Sequence, residues 1–98
     1  MPANRIDKIN MLLQKSISDI INKLKDPRLS GIITVTGVNT SRDLRHADVY
    51  ISVFNASGDA EFIIKALNEN SGFIRSTLFK SLSMRSIPEI HFVGDDSM

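Results

Sequence analysis

The chain has 98 residues, which is enough for one domain with one hydrophobic core and too few for two. Hydrophobic residues make up 42% of the chain and charged residues 23%, proportions typical of a globular rather than a disordered protein. The formal net charge is +1, and there are no cysteines, which excludes disulfides and thiolate metal sites. We therefore expect residues 1–98 to form a single globular domain.

The sequence also lacks the signals of membrane insertion or secretion. No apolar run approaches the ~20 residues that a membrane span requires. The first residues lead into a helical pattern that already carries Asp7 and Lys8, unlike the apolar stretch of a secretory signal. We expect a cytoplasmic protein with no membrane partner.

The first predicted element is a long amphipathic helix over residues 4–25. Its apolar residues recur at three- and four-residue steps and form one stripe at about 100° per residue. The stripe consists of Ile6, Ile9, Leu13, Ile17, Ile20 and Leu24, and the basic residues on another side are Arg5, Lys8, Lys15 and Lys23. The helix must end at Asp26-Pro27, because proline disfavours the helical conformation of the residue before it.

Two strands follow the helix. Residues 31–38 are almost all β-branched, and threonines alternate there with isoleucine and valine, which predicts a strand with one buried face. Residues 39–46 are polar and turn-like, and residues 47–54 predict a second strand with Val49, Ile51 and Val53 on one face. Adjacent strands joined by a short polar loop most simply form an antiparallel hairpin.

The rest of the chain predicts a broken helical segment and a third strand. Residues 59–70 and 72–84 each have a helical pattern, and the segment Asn68–Gly72 between them is a poor helix interior, so we expect a bend at Asn70–Gly72. Residues 88–93 predict a short strand that begins at a proline, and residues 94–98 a frayed polar tail. The order α-β-β-α-α-β predicts an α+β domain with helices packed on a three-stranded sheet.

No motif in the sequence indicates catalysis. The sequence contains no nucleophile elbow, no His-Glu-x-x-His pair and no phosphate-binding Gly-Lys loop. The two histidines, His46 and His91, therefore belong to no recognised catalytic motif. A metal site is not indicated either, because Asp95 and Asp96 lack the spacing of a calcium loop and are typical of a solvated chain end. We expect a binding protein that is not an enzyme and needs no metal, cofactor or small-molecule substrate.

The distribution of basic residues suggests a phosphate-binding face. Residues 72–85 hold Arg75, Lys80 and Arg85 and no acidic residue. The basic side of the first helix is, by itself, more typical of a solvated face than of a binding site. A glycine at position 72 would let the backbone turn sharply and approach a ligand, and the amides that open the next helix would attract phosphate. Together these features favour structured RNA as the ligand, although a glycine that serves only packing is the simpler alternative.

Seven short motifs occur in the order in which they occur in the ribosome-binding factor A family. They are Asp26-Pro-Arg-Leu29, Thr34-Val-Thr36 with Val38, Ser41-Arg-Asp-Leu44, Ala47-x-Val49-Tyr50, Ala66-Leu67, Ser71-Gly-Phe-Ile-Arg75 and Pro88-Glu-x-x-Phe92. No single motif is diagnostic, but seven in register over nearly the whole chain make the resemblance specific.

The resemblance implies a type II K-homology-like domain of the order α-β-β-α-α-β. In the family an Ala-x-Gly kink between the last two helices takes the place of the Gly-x-x-Gly loop, and here it falls on Asn70-Ser71-Gly72. Asparagine in place of alanine departs from the family pattern, but asparagine tolerates turn conformations, so we expect the kink to persist. Because Asn70→Ala restores the family's usual residue, we expect it to be nearly neutral for binding to small subunits.

The resemblance also implies a function. Family members are ribosome assembly factors that bind the small (30S) ribosomal subunit and its 16S ribosomal RNA, assist late maturation and 5′-end processing of that RNA, and matter for growth in the cold. We expect a monomer that contacts RNA through Asn70, Ser71, Gly72, Arg75, Lys80, Arg85, Arg5, Lys8, Lys15, Arg42 and Arg45. The alternative is a non-enzymatic adaptor that docks on an acidic protein through its basic first helix.

Overall fold

The computed structural model of the protein describes residues 4–97, in which three helices and three strands form one layered unit. The helix α1 spans Arg5–Lys23, β1 spans Ile32–Thr40, β2 spans His46–Phe54, α2 spans Ala60–Glu69, α3 spans Ser71–Ser81 and β3 spans Glu89–Gly94. The order α-β-β-α-α-β and the α+β class that the sequence predicts are confirmed.

The three strands form one sheet in the order β1-β2-β3. Strands β1 and β2 pair antiparallel, as the sequence predicts for a hairpin, with a bulge between Val35 and Gly37. Strand β3 pairs parallel to β2, with Val49 opposite Phe92. A parallel pair cannot be joined by a tight turn, so the chain crosses back along the sheet through α2 and α3.

All three helices bury their apolar sides against one face of this sheet. The alternation that the sequence shows in β2 is confirmed, because Ala47, Val49 and Ile51 are buried while their neighbours are not. The buried cluster consists of Leu13, Ile17, Ile21, Val35, Ala47, Val49, Ile51, Ile63, Leu67, Ile74, Leu78, Ile87, Ile90 and Phe92. Each element therefore contributes to one continuous core.

Helix α1 ends two residues before its predicted end. Asn4 caps its N-terminus by accepting a hydrogen bond from the Asp7 amide at 2.8 Å. Its last helical residue is Lys23, and Leu24 is already extended, which matches the stop expected before Asp26-Pro27. Ile21, which lies outside the predicted stripe, is buried, whereas Ile20 and Leu24 are only half-buried.

The predicted break between α2 and α3 is confirmed, but Gly72 is not the residue that makes it. Asn70 both ends α2 and precedes α3, with φ −95° and ψ 1°. Gly72 is the second residue of α3, and its φ is not positive; Gly31 is the glycine with positive φ in the described chain. The expectation that Gly72 supplies the sharp turn is therefore wrong, because the conformation of Asn70 is accessible to any L-residue.

One side chain pairs with the backbone of β3 at its outer edge. Asn68 donates from Nδ2 to the Phe92 carbonyl at 2.9 Å and accepts at Oδ1 from the Phe92 amide at 2.8 Å. These two bonds imitate the pairing that another strand would provide at an open sheet edge. Asn68 thereby joins α2 to β3 and fixes the distance between them.

The tail that we expected to be frayed is mostly ordered. Gly94 is the last residue of β3 and lies opposite Ile51, and Asp95–Ser97 form a 3-10 helix. Thr36 donates to Asp95 Oδ1 at 2.9 Å, which attaches this helix to β1. The expectation fails because a polar composition does not reveal a partner that lies 59 residues away; Met98 falls outside the described residues.

Candidate nucleic-acid interface

A polar network holds the junction between α2 and α3. Arg28 donates to both carboxylate oxygens of Asp26, at 3.1 Å from Nε and 2.8 Å from Nη2, and its other terminal nitrogen contacts Glu69. Asn70 donates from Nδ2 to Asp26 Oδ2 at 3.0 Å and to the Ala66 carbonyl at 2.8 Å. The network therefore joins the loop after α1 to the last residue of α2 and to the junction.

The charges of this network are mutually stabilised. Side-chain hydrogen bonds from Arg28 hold the pKa of Asp26 well below its usual range, and the backbone amide of Arg28 contributes in the same direction. The hydrogen bond from Arg28 also lowers the pKa of Glu69. Arg28 is consequently neutralised by two carboxylates and is a poor candidate for binding phosphate.

The side chain of Asn70 is committed to the fold rather than turned to a ligand. Its amide makes both of the bonds described above, and it forms no capping bond to α3. Asn70→Ala would remove a donor to the Asp26 carboxylate and a donor to the Ala66 carbonyl. We therefore expect Asn70→Ala to lower stability, whereas the predicted near-neutrality concerns binding; the kink itself persists as predicted.

Three adjoining concavities gather basic residues around the segment that leads from α3 to β3. The first, about 370 Å³, is lined by Gly72, Arg75, Ser76, Phe79, Arg85, Ser86 and Ile87. The second includes Arg5, Lys8 and Arg85, and the third includes Arg45, His46 and Arg75. Ser86 lines all three. We call the surface formed by Arg75, Arg85, Arg5, Lys8 and Arg45 the basic face.

Arg75 is held in place at the centre of the basic face. Its side chain is exposed, and its Nε donates to the Ile87 carbonyl at 3.0 Å. A guanidinium carries further N–H donors on its terminal nitrogens, which are available to bind a ligand. Arg75 is thus a preoriented donor beside the loop that contains Arg85.

Two carboxylates border the basic face. Asp43 lines the second and third concavities, and Glu89 lines the third. Asp43 accepts hydrogen bonds from the Ser41 hydroxyl at 2.6 Å and the Arg45 amide at 3.1 Å, and the hydroxyl bond is the main reason that its pKa is lowered. Asp43 therefore shapes the loop between β1 and β2 and reduces the positive potential there, leaving the first concavity as the most strongly basic.

The structure does not bring all the predicted residues together. Lys15, Lys80 and Arg42 line none of the three concavities, and Ser71 is half-buried at the start of α3. Sequence reasoning missed Phe79, an exposed aromatic residue that lines the first concavity with Arg75. The spacing of positions 72, 75, 76 and 79 on one helix was the signal that could have revealed it.

A larger concavity has the opposite charge. It measures about 800 Å³ and lies between α2 and β3, where Glu61, Glu69 and Asp96 outnumber Lys65. Such a surface repels phosphate. Size alone therefore does not identify the candidate interface.

Other kinds of site are not indicated. No three His, Asp or Glu side chains among the described residues are arranged to hold a metal ion. In the part of the chain that the structure describes, no helix has the length and apolar character needed to cross a bilayer. These features define a small α+β domain of the type II K-homology-like class, with a basic face beside the kink between its last two helices.

Known proteins place this chain in a family within that class. The family model for ribosome-binding factor A matches residues 5–98. Ribosome-binding factor A of Acetivibrio thermocellus is 43% identical over 95 residues, which are 96% of this chain and 77% of that protein. The chain belongs to the ribosome-binding factor A family, as its motifs predict.

Solved structures agree with this assignment. The crystal structure of ribosome-binding factor A from Thermus thermophilus superposes with a TM-score of 0.86 at 25% identity, covering 95% of this chain and 98% of that one. A homology model of the Thermus thermophilus factor, fitted into a cryo-electron microscopy map of its 30S complex, gives a TM-score of 0.72 at 25% identity. It covers 89% of this chain and 91% of that one.

The network at the junction predicts a pH-dependent contribution to stability. Because the folded-state pKa of Asp26 lies below its unfolded value of about 3.9, the network stabilises the fold above that pH, and this stabilisation is lost as the pH falls through the folded-state value. Asp26→Asn should therefore lower the free energy of unfolding at about pH 7, and the difference from the wild type should narrow below about pH 4.

Urea unfolding of both proteins over this pH range measures the difference. Asp19→Asn, at an exposed position on α1, is the matched control and should unfold as the wild type does at neutral pH. If the difference in the free energy of unfolding between wild type and Asp26→Asn stays constant down to about pH 2, the pH-dependent stabilisation is not due to the Asp26 carboxylate.

Proposed function

We propose that this chain is a ribosome assembly factor that binds the small (30S) ribosomal subunit through its 16S ribosomal RNA. In this proposal it acts as a monomer in the cytoplasm and assists late maturation of the subunit, including processing of the RNA's 5′ end. The observation that carries the proposal is the basic face, where Arg75 and Arg85 meet Arg5 and Lys8. Membership of the family and the likeness to a factor fitted into a 30S complex support it.

The basic face suits an RNA backbone for physical reasons. Guanidinium groups match phosphate oxygens with paired hydrogen bonds, and four of the residues that define the face are arginines on separate elements or loops. Residues so placed can contact successive phosphates of a folded RNA rather than a single point. The factor would act by binding and holding RNA, with no chemical step.

The start of α3 adds a second phosphate contact. Asn70 does not cap α3, so the first-turn amides of the helix keep their capacity to bind an anion. Nothing lies within 4 Å of the position that a Cβ on Gly72 would occupy, so the backbone there is open to approach. In the proposal, the RNA backbone contacts this open turn beside Arg75.

One observation favours a second candidate function. Met11 and Leu12 on α1 are 68% and 42% exposed, beside the basic residues Lys8 and Lys15. Exposed apolar groups among basic ones are suited to docking on an acidic protein, as in the adaptor alternative. Salt dependence separates the two candidates, because each phosphate contact contributes about −0.7 to −0.9 to the slope of log affinity against log salt, and RNase abolishes only the RNA-dependent association.

Charge reversal at Arg85 tests the basic face directly. We expect Arg85→Glu to weaken binding to purified small subunits and to reduce the magnitude of the salt slope by about 1, because a phosphate contact is lost and a repulsion is added. Arg85 is exposed, so the melting temperature should change little. Co-sedimentation at several salt concentrations measures both quantities.

Lys25→Glu is the matched control for this experiment. Lys25 is exposed and follows the C-terminal end of α1, about 28 Å along the helix from Arg5. Lys25→Glu should bind small subunits with the same affinity and the same salt dependence as the wild type. Equal binding by Arg85→Glu and Lys25→Glu would place the RNA contacts away from the basic face.

Gly72→Ala should affect stability and RNA binding in different directions. Alanine fits the open space and a helical φ, so the variant should be as stable as the wild type or more stable by up to about 1 kcal/mol. The added methyl group would nevertheless obstruct the close approach of an RNA backbone. We expect a higher or unchanged melting temperature together with weaker co-sedimentation with small subunits.

Ser81→Ala, at an exposed position at the other end of α3, is the control for the change in helix propensity. It should leave binding unchanged. If Gly72→Ala binds as tightly as this control, the open turn is not a contact for RNA.

A further inference from the structure

The first concavity of the basic face has an aromatic residue between two arginines. Gly72, Arg75 and Phe79 line one wall, and their spacing along α3 places them on one side of the helix. The segment Arg85–Ile87, which leads into β3, forms the other wall. The result is an open groove of about 370 Å³ along α3.

The side chain of Phe79 is not used by the hydrophobic core. It is 60% exposed, whereas Ile74 and Leu78 on the same helix are completely buried. A single exposed phenylalanine is common on protein surfaces and needs no explanation by itself. Its position in a concave, positively charged groove is what gives it a specific meaning.

The groove has only one sign of charge. Its lining contains Arg75 and Arg85 and no carboxylate, and Ser76 and Ser86 supply the other polar side chains. The bond from Arg75 Nε to the Ile87 carbonyl fixes one guanidinium at the rim. An aromatic surface in a cationic groove is the composition that binds single-stranded nucleic acid, because a base stacks on the ring while the arginines hold the backbone.

We propose that Phe79 is a stacking platform for one unpaired base of the bound RNA, with the adjoining phosphates held by Arg75 and Arg85. The inference rests on the proposed function and makes it more specific, because it requires a single-stranded nucleotide at this groove rather than duplex alone. A base fits this groove better than an apolar protein side chain, since a nucleotide brings the negative charge that both arginines require.

Substitutions at Phe79 test the stacking. Stacking of a base on an aromatic side chain contributes about 5- to 150-fold in affinity. Phe79→Ala should weaken binding of labelled oligo(A) by this factor but leave unchanged the binding of an abasic ribose-phosphate chain of the same length. Phe79→Leu should be as weak as Phe79→Ala, because leucine keeps the apolar bulk and lacks a flat ring. Fluorescence anisotropy measures the affinity of the wild type and of both variants for each of the two labelled chains.

Phe79→Trp provides a spectroscopic test. The chain contains no tryptophan, so the substituted residue would be its only one. Its fluorescence should be quenched by oligo(A) and not by the abasic chain, and oligo(A) affinity should be retained. Phe62→Ala on α2, where Phe62 is 48% exposed outside the groove, is the matched control and should bind oligo(A) as the wild type does.

The same proteins distinguish failure of this inference from failure of the proposed function. If the wild type sediments with small subunits and Phe79→Ala does so equally well, the proposed function stands and the stacking platform is wrong. If oligo(A) binding depends on Phe79 but the wild type does not bind small subunits, the platform stands and the proposed function is wrong. Equal oligo(A) binding by wild type and Phe79→Ala, or recovery by Phe79→Leu as for a docked apolar side chain, would overturn the inference.

Discussion

The parallel pairing of β3 with β2 is the constraint on which the candidate interface depends. Because a parallel strand must be reached by a crossover, the chain has to pass through α2 and α3 and return across the sheet before β3 begins. The return brings Arg85 and Ile87 beside α3, and the amide of Glu89 then bonds to the Arg45 carbonyl at 2.8 Å. The crossover thus assembles the basic face from segments that are distant in sequence.

The junction at Asn70 makes this crossover compact. A single helix over residues 60–81 would be about 33 Å long and would carry its end away from the strand it must reach. Asn70 ends α2 in a conformation that requires no glycine, and its side chain is held by Asp26, which Arg28 in turn holds. Asn70 is therefore an additional attachment between the junction and the loop after α1.

Much of the fold could be predicted from the sequence, because its strongest signals are local. The period of α1, the β-branched hairpin and the proline before β3 each depend on neighbouring residues. The position of the break at Asn70 rather than Gly72 and the ordered turn at Asp95–Ser97 could not be predicted in the same way. Each involves a tertiary contact, the bond from Asn70 to Asp26 in the first case and the bond from Thr36 to Asp95 in the second.

The candidate site was predictable only in part for a similar reason. The net charge of +1 does not show that positive and negative charges lie on different surfaces. Arg28 is neutralised by Asp26 and Glu69, and the concavity between α2 and β3 is acidic. Arg75 and Arg85 lie on the basic face as expected from an acid-free stretch of sequence, whereas Lys80 from the same stretch lies outside its concavities. Arg75 and Lys80 are both on α3, and their positions around the helix, which a composition count ignores, decide which of the two lies on the basic face.

The most direct test of the account is sedimentation of a cell lysate through a sucrose gradient, with detection of this protein in each fraction. The account predicts that the protein travels with free small subunits, is absent from assembled ribosomes, and returns to the top of the gradient after RNase treatment or at high salt. A protein found only at the top of the gradient under low-salt conditions, or one that stays with a particle after RNase treatment, would contradict it.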